Sequence, residues 1–183
     1  GNKTELKGIW VAKFEVSGST TAPRVKPGVS SLRSITVANM YNTGKLFRST
    51  DYITSNGINQ SDSHMMKNIE WGAVAYLKQS NYGLGITDIG ENNNSNYITG
   101  CGSPAGSKQS SSCNAYNTTN GMLASTSGNI TGVYDMSGGK NEYVMGNYNK
   151  KAGSSGLNVS GVPAEHIDIY SGTDVNASHL GDA

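Results

Sequence analysis

Short apolar blocks separated by long polar stretches are the feature of this sequence that most limits its fold. From Gly90 to Ser127 the chain consists almost entirely of Asn, Ser, Gly and Thr. Ser, Thr and Asn together make up about a third of the 183 residues. Apolar clusters nevertheless recur along the whole length, so the chain is not predicted to be a disordered tail. We expect one loop-rich globular domain spanning 1–183.

Two blocks predict regular structure. Gly8–Gly18 reads GIWVAKFEVSG, where β-branched and aromatic residues alternate with Lys and Glu as in a strand. The segment Met66–Leu77 predicts a helix, because Met66, Ile69, Ala73 and Leu77 recur at three-to-four spacing on one face. That face is widened by Trp71, Val74 and Ala75. Asp62 or Ser63 is a candidate cap for its start.

Composition argues against several functional classes. The formal net charge is +1 and no run of Lys and Arg is present, which argues against nucleic-acid binding. No apolar run approaches the roughly 20 residues of a membrane-spanning helix. The sequence lacks the Gly-x-Ser-x-Gly elbow, the P-loop and the dinucleotide fingerprint, so hydrolase and nucleotide-binding functions have no support.

The two cysteines, Cys101 and Cys113, flank an insert rich in Gly and Ser. In an oxidising compartment they are expected to pair and to close a short loop, which would stabilise the fold by roughly 3 kcal/mol. Two unpaired thiols remain the alternative. Metal binding is the less favoured interpretation, because no histidine or second cysteine pair lies nearby in the sequence.

The three histidines, His64, His166 and His179, are far apart in the sequence. Glu165-His166-Ile167-Asp168 resembles a ligand cluster, and on a strand His166 and Asp168 would share one face while the isoleucines turned inward. We interpret that face as solvated, with a metal site as the less favoured alternative.

Three blocks, in this order, resemble a known family. GIWVAKFEVSG is similar to an opening strand, MMKNIEWGAVAYL to a helix that contains Glu-Trp, and GVYDMSGGKNEYV to a core signature beginning Gly-Leu-Tyr-Asp-Met-Ser-Gly. The family is that of the formylglycine-generating enzymes and sulfatase-modifying factors. The resemblance extends over about 8–146. It implies an α+β, variant C-type lectin-like fold that is rich in loops, with small antiparallel sheets and one or two helices. The spelling is closest to a secreted or surface-displayed bacterial subgroup whose members often carry a prepilin-like segment.

Departures from the family pattern shape the functional expectation. The enzymes use a cysteine pair late in the chain, and no cysteine follows Gly146, so formylglycine-type oxidase chemistry is not expected. The signature asparagine that helps to hold calcium in related proteins is Gly139 here, which leaves Asp135 and Glu142 as weak calcium candidates. Acceptance of loop hydrogen bonds is the favoured role for these two carboxylates. The family frame implies a core built from Trp10, Phe14, Trp71, Tyr76, Tyr134, Met136 and Tyr143.

The resulting hypothesis is an extracellular or cell-surface, non-catalytic module for adhesion to glycan or protein ligands. Polar loops with ten tyrosines suit such recognition, because they combine rigid aromatic area with short hydrogen-bonding groups. The alternative is a structural subunit of a pilus or other surface filament, whose partners are neighbouring subunits. The closing strands of the family are missing before Ala183, so we expect either a continuing polypeptide or a strand supplied by another chain.

Overall fold

The computed structural model describes residues 8–48, 61–85, 89, 114–137, 142–150 and 156–170. These contain three α-helices, α1 (Val37–Lys45), α2 (Asn68–Ala75) and α3 (Thr119–Met122). They also contain four three-residue strands, β1 (Val16–Gly18), β2 (Pro23–Val25), β3 (Gly146–Tyr148) and β4 (Asp168–Tyr170). The α+β class is therefore confirmed. The expectation of one or two helices and of antiparallel sheets alone was wrong, because three α-helices are described and β3 pairs with β4 in parallel. Within the described ranges, no helix has the length and apolar character needed to cross a membrane.

The opening block forms less strand than its sequence predicts. Only Val16–Gly18 is extended, and it pairs antiparallel with β2 through Val16 and Val25. A tight turn joins the two strands and requires glycine at position 18, because φ is +87° and a Cβ would lie 2.5 Å from the Ala22 carbonyl oxygen. Residues 8–15 are irregular, so the prediction of one strand over Gly8–Gly18 was wrong for most of its length.

Helix α1 depends on its caps more than on an apolar stripe. The Thr36 hydroxyl accepts a hydrogen bond from the Asn39 amide at 3.3 Å at the first turn, and Tyr41 and Thr43 are the buried residues. At the other end the Ser63 hydroxyl donates to the Gly44 carbonyl at 3.0 Å. Ser63, a candidate cap for the start of α2, therefore stabilises the end of α1 instead.

Helix α2 begins at Asn68, with Lys67 at the N-cap position, so the expected cap from Asp62 or Ser63 was wrong. Lysine offers no acceptor, and two carboxylates accept hydrogen bonds at the start of the helix instead, one from its own first turn and one from β4. Glu70 accepts a hydrogen bond from the Lys67 amide at 2.9 Å, and Asp168 on β4 accepts one from the Ile69 amide at 3.0 Å. The first turn of α2 thus lies next to β4, whose Asp168 carboxylate accepts a hydrogen bond from it.

The buried face of α2 includes only the Val74 and Ala75 part of the predicted face. Ile69 is 51% exposed and Leu77 is also exposed, whereas Glu70, Val74 and Ala75 are buried. The helix has only eight residues and passes at Tyr76 into a 3-10 turn that extends to Gln79. In a 3-10 turn the period falls from 3.6 to 3.0 residues, so a spacing pattern that extends to Leu77 fails.

The second sheet is parallel and joins the core signature to the C-terminal segment. Gly146 pairs with Asp168 and Tyr148 with Tyr170. Met145 extends the connection, since its amide donates to the Met66 carbonyl at 2.8 Å while its own carbonyl accepts from the Asp168 amide at 2.9 Å. The start of α2, β3 and β4 therefore meet at one place.

The described core consists of three small clusters. One stacks Phe14 on Tyr134 with ring centroids 5.1 Å apart, and Tyr134 is only 1% exposed. The other two centre on Tyr41, Met145 and Ile167, and on Val74, Ala75 and Met136. Several small clusters, and no single large one, are what a chain with short apolar blocks can build.

The seven expected core residues divide into two groups. Phe14, Tyr134 and Met136 are buried, and Trp71 packs partly buried against the third cluster. Placement of Trp10, Tyr76 and Tyr143 in the core was wrong, because all three are exposed. In each case a chain neighbour faces inward instead: Val11 for Trp10, Ala75 for Tyr76, and Val144-Met145 for Tyr143.

Helix α3 lies inside the stretch Gly90–Ser127 that the composition predicts as loop. The Thr118 hydroxyl accepts a hydrogen bond from the Gly121 amide at 3.2 Å, and Gly121 packs against the Ala115 carbonyl oxygen. The predicted disulfide between Cys101 and Cys113 lies outside the described residues.

Candidate functional site

Asp62, His64 and His166 come together beside the start of α2. Each offers one possible ligand atom, and these atoms lie within 4.8 Å of one another. His166 Nε2 is 2.9 Å from both carboxylate oxygens of Asp62. His64 Nδ1 lies 4.0 Å from Asp62 Oδ2 and 3.1 Å from the Asp62 carbonyl oxygen. We refer to these three residues as the histidine cluster.

Two separate segments build the histidine cluster. Asp62 and His64 belong to the non-helical segment that leads into α2, and His166 ends the 3-10 turn Ala164–His166 that leads into β4. His166 is 3% exposed, whereas the Asp62 side chain is 51% exposed. His166 therefore lies on the buried side of the cluster, and Asp62 lies on its solvent-exposed side, which we call the mouth. Contacts of Asp168 and Met145 with the start of α2 hold the two segments together.

A buried side chain outside the cluster contacts the second ring nitrogen of each histidine. His64 Nε2 lies 3.2 Å from Glu70 Oε2, and His166 Nδ1 lies 3.2 Å from the Tyr41 hydroxyl. Both Glu70 and Tyr41 are buried. The two imidazole rings stack, with centroids 4.6 Å apart and planes at 13°. One nitrogen of each ring thus faces a fixed partner while the other faces Asp62.

The electrostatics of the histidine cluster favour an ionised carboxylate and a protonated phenol. The hydrogen bond with His166 lowers the pKa of Asp62, desolvation opposes this effect, and the charges of both histidines and of Arg48 assist it. Burial raises the pKa of Tyr41, and the negative charges of Asp62 and Glu165 raise it further. Tyr41 is therefore a neutral hydrogen-bonding partner of His166 and not an activated nucleophile.

Arg48 closes one side of the mouth. Its NH1 lies 3.2 Å from Asp62 Oδ1, and both side chains are about half exposed. An exposed pair of this kind contributes little stability, about 0–1 kcal/mol, and opens readily. Arg48 therefore leaves Asp62 available to other partners.

The sequence identified only part of this site. His166 was expected on a solvated strand face together with Asp168, and that expectation was wrong. His166 is buried in a 3-10 turn, and the Asp168 carboxylate contacts the Ile69 amide and the Lys67 ammonium. Asp62 and His166 are 104 residues apart, so no local pattern could pair them. His179 lies outside the described residues.

The two calcium candidates lie elsewhere. Asp135 is buried with φ +61°, and Glu142 accepts a hydrogen bond from Trp71 Nε1. Neither belongs to the histidine cluster. Within the described ranges, the histidine cluster is the one group of three or more His, Cys, Asp or Glu residues whose ligand atoms lie close enough to share a metal ion. The calcium site stays a prediction, and for Glu142 the structure shows a hydrogen bond from the helix.

The Glu142 carboxyl group is crowded although the residue as a whole is exposed. Desolvation raises its pKa to about 7, the hydrogen bond from Trp71 opposes this, and the charges of Glu15 and Asp135 add to the rise. Water around the exposed residue screens part of these effects. Nearby, Lys78 is buried and donates to Ser137 Oγ at 2.6 Å; burial lowers the pKa of Lys78 while Asp135 opposes the shift.

A second feature with functional potential is an exposed aromatic surface. Trp10 is fully exposed and Tyr82 nearly so, and the segment Tyr76–Leu84 exposes four large apolar side chains in nine residues. These are Tyr76, Leu77, Tyr82 and Leu84. Leu84 rests on Gly128, where an added Cβ would lie 2.3 Å from Leu84 Cδ2, so this segment packs against the start of the core-signature region.

Comparisons of the chain with protein-family models, with curated proteins and with solved structures find no match. The family resemblance therefore depends on the quoted motifs alone, and function has to be argued from the site and the surface.

Proposed function

We propose that this chain is an extracellular, non-catalytic binding module with a variant C-type lectin-like fold, which recognises a glycan or protein ligand. The observation that carries the proposal is the exposure of Trp10 and Tyr82 on a chain with small core clusters. Tryptophan and tyrosine dominate the energetics of binding surfaces, because they offer large rigid area with a polar tip.

Contacts among the three resemblance blocks support the fold. The Tyr134 amide donates to the Lys13 carbonyl at 2.9 Å, which joins the opening block to the core signature. The Met145 amide donates to the Met66 carbonyl, and Trp71 Nε1 donates to Glu142, which together join the helix to the signature. A shared frame predicts that these blocks pack together in this way.

The position of the aromatic residues supports a binding surface over chance exposure. Val11 and Ala75 pack in the same core cluster, and their chain neighbours Trp10 and Tyr76 point outward. The exposed side chains thus project from a fixed frame. A rigid anchor loses little conformational entropy on binding, which favours affinity.

Arrays of glycans and of extracellular-matrix proteins, probed with the fluorescently labelled chain, test this proposal. We expect binding on at least one array, weakened about 30-fold or more by Trp10→Ala or Tyr82→Ala, because aromatic anchors contribute about 2 kcal/mol or more. Ile169→Ala, which truncates an exposed residue on β4, is the matched control and should bind as the parent does. No binding on either array, or binding indifferent to both aromatic substitutions, would contradict the proposal.

The alternative function is a structural subunit of a pilus or other surface filament. It is favoured by β4, which in the described part of the chain has a strand on one side only. Negative-stain electron microscopy of native material distinguishes the two. Ordered filaments containing this chain would reject the free adhesin, whereas dispersed particles that bind an array ligand would reject the filament subunit.

A further inference from the structure

We propose that Asp62, His64 and His166 form a binding site for one divalent transition-metal ion, with Zn²⁺ the best-suited probe. The donor set is two imidazole nitrogens and one carboxylate oxygen, drawn from the segment that precedes α2 and from the 3-10 turn that precedes β4. This inference is separate from the aromatic surface and does not depend on its ligand.

The distances between donors fit an ion after a small adjustment. Bonds of about 2.0–2.1 Å in a tetrahedral zinc site place neighbouring donors about 3.3 Å apart. His166 Nε2 lies 2.9 Å from the Asp62 oxygens, and His64 Nδ1 lies 4.0 Å from Asp62 Oδ2. The first separation must open and the second must close, each by less than about 1 Å. The third separation, between the two imidazole nitrogens, must reach the same value, and all three donors already lie within 4.8 Å of one another.

The hydrogen-bond partners of the second nitrogen of each imidazole ring give the strongest support for a metal site. A metal-bound histidine usually donates its second ring N–H to a carboxylate or another oxygen, which fixes the tautomer and the ring. Here His64 Nε2 faces the buried Glu70 carboxylate at 3.2 Å, and His166 Nδ1 faces the buried Tyr41 hydroxyl at 3.2 Å. With protons on those two nitrogens, the lone pairs of His64 Nδ1 and His166 Nε2 are free for an ion.

The same nitrogens contact oxygens that a proton or a metal can bridge. His166 Nε2 faces the Asp62 carboxylate, and His64 Nδ1 lies 3.1 Å from the Asp62 carbonyl oxygen. An ion at this position would replace the bridging proton. The rings must turn from their 13° stack so that both lone pairs converge on one point. The Asp62 side chain is half exposed, so it can move toward that point as well.

The donor chemistry selects the class of ion. Imidazole nitrogen favours zinc, nickel, copper and other late divalent metals, whereas calcium and magnesium favour sites composed only of oxygen ligands. Three protein donors leave a fourth position of a tetrahedral ion for water or an external ligand, on the side where Asp62 meets solvent. Arg48 pairs with Asp62 at this mouth, so its positive charge opposes the ion.

Isothermal titration of the tag-free, chelator-treated chain with ZnCl₂ tests the proposal. We expect one equivalent of Zn²⁺ per chain, and a melting temperature raised by about 5–10 °C when free Zn²⁺ is a hundredfold above its Kd. Titration with Co²⁺ should give the visible absorption of a tetrahedral nitrogen and oxygen site. Neither Ca²⁺ nor Mg²⁺ at the same concentration should raise the melting temperature.

Variants separate a metal site from a purely structural hydrogen-bonded cluster. Asp62→Asn and His166→Gln should each weaken Zn²⁺ binding at least about 10-fold. Glu165→Gln is the matched control, since it removes an exposed carboxylate next to His166 without removing a donor, and it should leave the affinity unchanged. Arg48→Gln should keep or increase the affinity.

Because His166 is buried, His166→Gln could fail to fold, and Asp62→Asn at the exposed mouth then decides the question by the Co²⁺ spectrum. Absence of stoichiometric Zn²⁺ binding overturns the proposal. Zinc binding that Asp62→Asn leaves intact also overturns it, because the ion would then be held by other residues.

Discussion

Replacement of Asp168 tests the idea that a carboxylate on β4 caps helix α2. Asp168 Oδ2 accepts the Ile69 amide at 3.0 Å, and Oδ1 lies 3.7 Å from Lys67 Nζ, with both side chains about 15% exposed. Loss of a cap costs about 1 kcal/mol, and loss of a largely buried ion pair adds about 0.5–1 kcal/mol. Asp168→Ala should therefore lower the free energy of unfolding by about 1.5–2 kcal/mol.

Thermal unfolding followed by circular dichroism measures this loss. In a domain of this size, 1 kcal/mol corresponds to about 2–4 °C, so Asp168→Ala should lower the melting temperature by about 3–8 °C. Asp168→Asn keeps an oxygen acceptor but removes the charge, and should cost about half as much. Amide exchange at Ile69 adds a local readout: protection should fall in the alanine variant and persist in the asparagine variant.

Two outcomes would refute the reasoning. An alanine variant as stable as the parent would mean that solvent satisfies the Ile69 amide equally well. An asparagine variant as unstable as the alanine variant would mean that charge, and not the hydrogen bond, fixes the start of the helix. Glu165→Ala, an exposed carboxylate three residues earlier, is the control and should change stability by less than about 0.5 kcal/mol.

Three further predictions concern the core, two glycines and pH. Tyr134→Phe removes a hydroxyl that donates to the Tyr116 carbonyl at 2.8 Å and should destabilise the chain by about 1 kcal/mol in urea unfolding; a neutral result would contradict the role of that bond. Gly72→Ala, with nothing within 4 Å of its new Cβ inside α2, should stabilise by about 0.5–1 kcal/mol, whereas Gly121→Ala, whose Cβ would lie 2.0 Å from a backbone carbonyl oxygen, should destabilise by about 1–3 kcal/mol. The same sign for both glycine variants would refute this comparison. The folded-state pKa of Glu142 is raised from 4.5 to about 7, so the folded chain holds its proton longer and stability falls as pH rises between these values. Glu142→Gln should therefore flatten stability between about pH 4.5 and 7 in denaturant titrations at several pH values, and an unchanged slope would refute the assignment.

The sequence predicts the existence of α2 and part of the core, because these depend on local spacing and on large apolar side chains. Phe14, Tyr134 and Met136 are buried as expected. The spacing predicted the inward face of α2 only in part: Val74 and Ala75 are buried as expected, whereas Ile69 is exposed. Leu77 lies beyond the end of the α-helix, in a 3-10 turn. The start of α2 depends on Asp168, about a hundred residues away, and no local capping pattern includes it.

The sequence does not predict the histidine cluster, because its members come from segments that only tertiary contacts bring together. Alternation along a strand does not describe His166, because β4 begins only at Asp168. His166 ends a 3-10 turn, and its side chain is buried. Its partner Asp62 comes from a segment whose position depends on tertiary contacts. A weak signal did exist: His166 precedes the buried Ile167 in a chain with only three histidines.

Helix capping and the histidine cluster share one carboxylate, which links local stability to the site. Glu70 Oε2 accepts the Lys67 amide at 2.9 Å and also faces His64 Nε2 at 3.2 Å. Because Glu70 is buried, neither contact can be replaced easily by water. The acceptor that fixes the first turn of α2 therefore also fixes the ring of His64, and Asp168 secures the same turn from β4. An ion held by Asp62, His64 and His166 would tighten the junction that these caps already form, so metal binding and protection of the first turn of α2 should rise together.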